Sequence, residues 1–204
     1  MASGKQRPEH RSIVVLDITG SGRWDNRTQL NTRAALNAMV RTAFRAARVP
    51  KAQLVIEDRG DGMIALVPAT VSKADLLSPM IPALAAAVGK HNAATPQDSR
   101  IHLRVSVHAG EIHRDAYGWA GVDLNLACRL VNCTAAYQQS PHAGVVVVVS
   151  ELIHHGIVRH GYDGIDPARY IPIQVDNKEV STQAWLHLPE AAKHPVAITL
   201  TAAS

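Results

Sequence analysis

Residues 53–67, with the sequence QLVIEDRGDGMIALV, contain two short apolar runs joined by a glycine-bearing segment. Gln53–Glu57 and Met63–Val67 are rich in the branched aliphatic residues that favour β-strands. Arg59–Gly62 between them is typical of a tight hairpin connection. This part of the sequence therefore predicts two adjacent antiparallel strands with the carboxylate of Asp61 at their tip.

An earlier apolar run, SIVVLDI at residues 12–18, predicts a buried strand that ends next to a glycine-rich turn. The turn consists of Thr19, Gly20, Ser21 and Gly22. Successive backbone N–H groups in such a turn can form an anion-binding concavity. We therefore expect these four residues to bind phosphate groups of a substrate.

Asp17 closes the first strand and Asp61 lies at the hairpin tip. If the two strands are neighbours in one sheet, both carboxylates emerge at the same edge. Two like charges so placed are costly unless a cation lies between them, and Mg²⁺ prefers one or two carboxylates together with phosphate oxygens and water. Considered singly, each aspartate also fits a structural role, Asp17 as a cap and Asp61 as a turn residue.

The periodicity of the remaining chain predicts the other elements. We expect helices at 28–47, 76–91, 121–138 and 151–159, and further strands at 100–108, 144–149, 170–175 and 184–188. The order β-α-β-β-α-β-α-β-α-β-β predicts an α/β (α+β) domain over residues 12–188, a mixed and mostly antiparallel sheet with helices on one face. Residues 1–11 are expected to form a flexible arm and residues 189–204 a flexible tail.

The amino-acid composition and net charge limit the classes of function that fit this sequence. The 204 residues are 47% hydrophobic and 19% charged, which is typical of a globular domain. A formal net charge of +4, evenly spread, does not indicate a nucleic-acid partner. The sequence contains no signal peptide or membrane span, which predicts a cytoplasmic protein with no membrane partner and with Cys128 and Cys133 reduced. The eleven histidines follow no known metal-ligand spacing.

Four segments together resemble the catalytic domain of the class III nucleotidyl (adenylate/guanylate-type) cyclases. Gly121–Leu130 (GVDLNLACRL) is similar to their Gly-x-x-Val-Asn-x-Ala-x-Arg helix, and Leu16–Gly20 (LDITG) resembles their metal-binding strand. Arg59–Gly62 (RGDG) resembles their Gly-Asp hairpin, and Arg104–Glu111 (RVSVHAGE) their central strand. The segments follow the family's order over residues 12 to about 188, which implies the family's ferredoxin-like palm fold.

The resemblance implies a role for each matching residue. Asp17 and Asp61 would bind two divalent metal ions, Mg²⁺ or Mn²⁺, with help from the Ile18 carbonyl. Asn125 would orient the ribose of a nucleoside triphosphate, and Arg129 would stabilise charge that develops on the α-phosphoryl group. The last two lie four residues apart, hence on one helix face. In this family the two pairs come from different subunits, which implies a homodimer with its sites at the interface.

Two positions that select the base depart from the family's adenylate pattern. Glu57 stands where adenylate cyclases have Lys and guanylate cyclases have Glu. Gly118 stands where the former have Asp and the latter Cys, and it has no side chain to contact a base. A carboxylate at 57 accepts hydrogen bonds, which disfavours ATP and leaves GTP, or a pyrimidine triphosphate as used by cyclases of bacterial antiphage defence, as candidate substrates.

The family's transition-state lysine has no clear match, and Lys178 is the nearest candidate, with an exposed turn lysine as the alternative interpretation. Three functions therefore stay open at this point. The chain is an active cyclase, a cyclase-like domain that binds a nucleotide or a partner without turnover, or another palm-type enzyme such as a diguanylate cyclase. The last is disfavoured because the hairpin lacks the Gly-Gly-(Asp/Glu)-Glu-Phe signature.

Overall fold

The structure, a computed structural model, describes residues 7–189. The strands are Glu9–Ile18 (β1), Val55–Asp58 (β2), Gly62–Pro68 (β3), Leu103–Asp115 (β4), Gly118–Ala120 (β5), Val145–Ser150 (β6), Ile171–Asn177 (β7) and Val180–His187 (β8). The helices are Asn26–Ala46 (α1), Lys73–Asp75 (α2), Ile81–Ala93 (α3), Val122–Val131 (α4), Thr134–Gln139 (α5) and Glu151–Gly156 (α6). Residues 1–6 of the expected arm and 190–204 of the expected tail lie outside the described range.

The strands form one sheet in the order β2-β3-β1-β4-β6-β8-β7, with β5 paired to β4. All neighbouring pairs are antiparallel except β4 and β6, which run parallel. The predicted mixed, mostly antiparallel sheet is therefore confirmed. The central strand β1 pairs with the hairpin strand β3, and this register sets Asp17 opposite Gly62 at the end of the pair.

The expectation that the helices lie on one face of the sheet is wrong, because helices cover both faces. Residues of α1, α3 and α6 pack with Leu16, Val105 and Val147 on one face. Residues of α4 and α5 pack with alternate positions of the same strands, including Val15 and Val148, on the other. The physical reason is visible in Val145–Val149, five consecutive valines that are all buried, which is the composition of a strand covered on both sides.

Most element boundaries differ from the predictions by a few residues, β4 continues to Asp115, and α2 and β5 were not predicted. Three of the differences have a local cause. β1 begins at Glu9, inside the expected arm, because residues 9–11 pair with residues 110–112 of β4. The regular helix α3 begins only at Ile81, since Pro79 disfavours a helical residue before it and Ser78 is extended. The helix expected at 121–138 is divided into α4 and α5 at Asn132, whose side chain donates to the Cys128 carbonyl.

Within the described part of the chain, no helix combines the length and the hydropathy that a membrane crossing requires.

Candidate active site

Asp17 and Asp61 emerge at the same edge of the sheet. The Ile18 N–H donates to the Asp61 carbonyl at 3.0 Å, which closes the end of the β1–β3 pair. The hairpin can come this close because Gly62 has no side chain. A Cβ there would lie 2.7 Å from the Leu16 carbonyl oxygen and 3.4 Å from Asp17 Oδ1. The local sequence therefore juxtaposes the two aspartates.

The surroundings of Asp17 work against its ionisation. Burial raises the pKa of the Asp17 carboxyl, the Arg104 guanidinium opposes that shift, and the nearby Asp61 carboxylate raises the pKa further. The Asp61 carboxylate is oriented by the Ser21 hydroxyl, which donates to its Oδ2 at 2.7 Å. Two carboxylates in mutual electrostatic contact and partly withdrawn from water form an environment that a bound cation would stabilise.

Arg104 is a site residue that sequence reasoning did not assign. It is 3% exposed, it lies opposite Asp17 in the β1–β4 register and its guanidinium donates to Asp17 Oδ2. The guanidinium also stacks on the Tyr137 ring, 3.6 Å from the ring centroid. The strict alternation of β4 was the available signal, because it separates Arg104 from the apolar face formed by Leu103 and Val105.

The protein oxygens at this edge of the sheet could hold a divalent cation only if substrate and water oxygens supply the remaining ligands. Among residues 7–189, no three His, Cys, Asp or Glu side chains cluster as a metal site would require. Asp17 and Asp61 supply two hard oxygen ligands, and Mg²⁺ is usually held by one or two carboxylates plus substrate phosphates. Ile18, the third expected ligand, lines the same cavity as Asp61. The residues present therefore fit a cation that binds together with a phosphate ligand.

The expected phosphate-binding turn is divided between two cavities. Ser21 and Gly22 line a cavity of about 470 Å³ together with Asp61, Arg33 and Arg59. Thr19 and Gly20 line an adjoining depression of about 820 Å³ that includes Arg23 and Arg100. The structure thus brings two of the four turn residues to the aspartates and places the other two beside a second group of basic side chains.

Glu57 and Gly118, to which the resemblance assigns selection of the base, lie side by side. A Cβ added to Gly118 would lie 3.6 Å from Glu57 Oε1, so any side chain at position 118 would contact that carboxylate. The other oxygen of Glu57, Oε2, accepts from Arg59 Nη2 at 2.6 Å. Arg59 also lines both cavities that contain Asp61. Sequence reasoning assigned no role to Arg59, although it stands in the hairpin between the two predicted site residues.

Asn125 and Arg129 lie on α4, which packs on the sheet face from which Asp17 projects. The Asn125 side chain is exposed and borders a depression of about 350 Å³ that also contains Asp17 and Asp61 of the same chain. Arg129 is farther along the helix, where its Nε donates to Glu179 Oε1 at 3.1 Å. The helix therefore presents an amide and a guanidinium on one side, and Asn125 borders the depression that contains the aspartates.

Lys178 lies in the turn between β7 and β8, with a left-handed backbone (φ 54°) and an exposed side chain. The turn is fastened to the end of α4, because Asn177 Nδ2 donates to the carbonyls of Arg129 and Asn132 at 3.1 and 3.2 Å. Lys178 thus lies in a turn that is attached to the C-terminal end of α4, the helix that also carries Arg129.

Comparison with known proteins addresses the fold. No family model matches the chain, and no curated protein matches it. Solved structures do. An adenylate/guanylate cyclase/hydrolase from Silicibacter pomeroyi is 21% identical and superposes with a TM-score of 0.63 over 90% of this chain and 99% of that chain. The guanylyl cyclase Cya2 is 14% identical, with a TM-score of 0.61 over 89% and 91%. The adenylyl cyclase CyaB from P. aeruginosa is 15% identical, with a TM-score of 0.58 over 90% and 94%.

The chain therefore has the fold of the class III adenylate and guanylate cyclase domains, which confirms the fold that the four sequence motifs imply. Nearly the whole length of each solved domain is covered, so the described residues correspond to a whole domain of this type.

Proposed function

We propose that this chain is a nucleotidyl cyclase that converts a nucleoside triphosphate into a 3′,5′-cyclic nucleotide and pyrophosphate. The observation that carries the proposal is the juxtaposition of Asp17 and Asp61 at one sheet edge, in a chain with the cyclase fold and beside a cavity lined by Ser21 and basic side chains. Burial and the Asp61 carboxylate both disfavour the charged form of Asp17, although Arg104 opposes them, and such perturbed carboxyl groups are common at functional sites.

In the proposed reaction the ribose 3′-oxygen attacks the α-phosphorus, the bond to the bridging oxygen breaks, and pyrophosphate leaves while the hydroxyl proton passes to water. Asp17 and Asp61 would hold two Mg²⁺ or Mn²⁺ ions, with the Ile18 carbonyl as a further ligand. When bound, such ions lower the pKa of an attacking hydroxyl and neutralise the leaving oxygens. Arg129 and Lys178 would add positive charge where the transition state needs it.

The proposed assembly is a homodimer in which the aspartate pair of one subunit faces Asn125 and Arg129 of the other. Val122 at the start of α4 is 83% exposed and Tyr117 in the β4–β5 turn is 98% exposed, so both apolar side chains are available to a partner subunit. Homodimers of soluble proteins are commonly two-fold symmetric, which would give two equivalent sites. A guanylyl cyclase domain of similar fold, from the RhoGC fusion protein of Blastocladiella emersonii, has been solved both as a monomer and as a non-canonical dimer.

The proposed substrates are GTP and the pyrimidine triphosphates UTP and CTP, with ATP disfavoured. Glu57 presents a carboxylate oxygen next to Gly118, and a carboxylate accepts the N–H groups of guanine, uracil or the cytosine amine. ATP is disfavoured because the resemblance places Lys, not Glu, at this position in adenylate cyclases. Arg59 donates to the second oxygen of Glu57, and that oxygen has a further lone pair with which it can accept from a base. The guanylate cyclase domain of RhGC from Catenaria anguillulae, of similar fold, has been solved with GTP.

The test is to incubate the purified protein with each of the four triphosphates and Mn²⁺ or Mg²⁺, and to identify products by liquid chromatography and mass spectrometry. The proposal expects a cyclic nucleotide from GTP, UTP or CTP and at least about tenfold less from ATP, a difference worth about 1.4 kcal/mol in the barrier. Asp17→Asn and Asp61→Asn should each remove about 99% of the activity. Absence of cyclic product with all four triphosphates from a folded protein would reject the proposal.

A second candidate function is a nucleotide-binding or regulatory interaction domain without turnover. The observation that favours it is that two residues of the proposed machinery are paired within the chain, Asp17 with Arg104 and Arg129 with Glu179. A domain of this kind would bind a triphosphate in a calorimeter and release neither cyclic nucleotide nor pyrophosphate. Any metal-dependent turnover that Asp61→Asn abolishes excludes this candidate.

A further inference from the structure

A chain of three hydrogen-bonded side chains fastens the first turn of α4 to the sheet. Asp123 in that turn uses both oxygens: Oδ2 accepts from the Glu111 N–H at 2.7 Å, and Oδ1 lies 3.2 Å from His108 Nε2. The other ring nitrogen, His108 Nδ1, lies 2.8 Å from Ser150 Oγ. Ser150 in turn caps α6, where its Oγ accepts from the Ile153 N–H at 3.4 Å. The chain thus joins β4, β6, α4 and α6.

The direction of these hydrogen bonds follows from the chemistry of each group. An ionised Asp123 can only accept, so His108 Nε2 carries the proton. Burial lowers the pKa of His108, which favours the neutral ring, and a neutral ring with its proton on Nε2 accepts at Nδ1. The Ser150 hydroxyl therefore donates to Nδ1. Every polar atom of the chain then has a partner, so the position of Asp123 is strongly determined.

The backbone of β4 is adapted to this contact at Gly110. A Cβ at position 110 would lie 2.0 Å from Asp123 Oδ2, well inside any real contact distance. Only glycine lets the carboxylate approach the strand closely enough to reach the Glu111 N–H. The contact is therefore built from both sides, by a glycine in the strand and an aspartate in the helix.

Ser150, His108 and Asp123 have the composition of a hydrolase triad, but their burial excludes that role. Ser150 is 4% exposed and His108 is 3% exposed, so no substrate reaches either side chain. What the three hydrogen-bonded residues do fix is the position of the first turn of α4. Asn125 follows Asp123 by two residues on the same helix, and the far end of α4 is fixed separately by Asn177.

We propose that Asp123 is a positioning residue for the cyclase reaction, which sets the reach of Asn125 into the site and is itself held by His108. This inference rests on the proposed function, because it needs Asn125 to contact the substrate. The Arg129 end of α4 has its own tether in the β7–β8 turn, so the loss of Asp123 should affect chiefly the placement of Asn125.

The principal test is Asp123→Ala, which removes both acceptor oxygens and leaves the Glu111 N–H and His108 Nε2 without this partner. We expect kcat to fall about 10- to 100-fold, since a displacement near 1 Å can cost about 100-fold. KM for the triphosphate and the Mn²⁺ affinity should stay within about threefold, because the metal ligands and Lys178 do not depend on Asp123. The matched control is Asp166→Ala. It removes a carboxylate that lies away from the site and accepts from the Ala168 N–H at 3.0 Å, and it should leave kcat unchanged.

A rescue pair separates positioning from bulk stability. Glutamine at position 108 carries a terminal N–H₂ that can donate to Asp123, whereas leucine of similar size cannot. His108→Gln should therefore keep most of kcat, and His108→Leu should lose as much as Asp123→Ala. All variants are assayed at a temperature where circular dichroism shows each to be fully folded.

The outcomes are distinguishable. An active wild-type protein with unchanged kcat in Asp123→Ala overturns this inference and leaves the proposed function intact. Equal losses in His108→Gln and His108→Leu, or a loss of kcat matched by a loss of folded protein, also overturn it. A wild-type protein that cyclises no triphosphate overturns the proposed function and this inference together.

Discussion

Replacing Gly62 by alanine tests how closely β1 and β3 must approach at the two aspartates. The new Cβ would start 2.7 Å from the Leu16 carbonyl oxygen and 3.4 Å from Asp17 Oδ1. Because the nearest atom belongs to the backbone, the strands must separate by about 0.7 Å to bring this contact to 3.4 Å, the lower end of ordinary contact distances. Overpacking of this kind costs about 1–3 kcal/mol. The same shift would move Asp61 away from Asp17, for which we expect about a tenfold loss of kcat.

Urea denaturation measures the stability change, and cyclic nucleotide formation with Mn²⁺ measures kcat. The matched control is Gly156→Ala in α6, where a Cβ would meet nothing within 4 Å. Alanine there should leave kcat unchanged and raise the free energy of unfolding by at most about 1 kcal/mol. A Gly62→Ala protein with wild-type stability and wild-type kcat would refute the reasoning, because it would show that the two strands have room to spare at the site.

Three further predictions follow from the same contacts. Burial raises the pKa of Asp17 above its ordinary 3.8, with Arg104 opposing the shift and Asp61 adding to it. The free energy of unfolding therefore falls as the pH rises from 3.8 to the raised pKa of the folded protein. Asp17→Asn should therefore be more stable than wild type to urea at pH 7, with the difference vanishing near pH 3; a less stable variant at pH 7 would contradict this. Ser21→Ala removes the hydroxyl that orients Asp61 and should weaken Mn²⁺ binding about tenfold by electron paramagnetic resonance, whereas an unchanged affinity would exclude the role of Ser21. Glu179→Gln frees Arg129 from an exposed ion pair, so stability should be almost unchanged while KM for the triphosphate decreases; an increased KM would argue that Glu179 aligns Arg129.

The sequence predicts the β1–β3 core of the site well, because the signals there are local. Apolar runs bounded by glycines predict the strands, and Asp17 and Asp61 stand at the ends of those runs, so pairing of the strands brings them together. The proximity of Glu57 and Gly118 follows only from the resemblance, since 61 positions separate them and no local pattern relates a hairpin to β5.

The prediction was wrong where tertiary contacts decide the outcome. Whether helices cover both faces of the sheet depends on where α4 packs, and the periodicity of a helix does not specify that. The five valines at Val145–Val149 did indicate a strand that is covered on both faces. Arg104 was overlooked because a buried cation opposite a carboxylate becomes visible only when the β1–β4 register is known. The hydrogen bonds that join Asp123, His108 and Ser150 were not predicted for the same reason, since the three residues come from separate segments of the sequence.

The central claim is that the aspartate pair and the Asn125/Arg129 helix of each site come from different subunits. Mixing two inactive variants, Asp61→Asn and Arg129→Ala, tests it directly. If the claim holds, random exchange of subunits makes heterodimers with one intact site each, and activity should recover to about a quarter of the wild-type value. If both groups instead act within one chain, every subunit in the mixture carries a defect and the activity stays at the level of the separate variants.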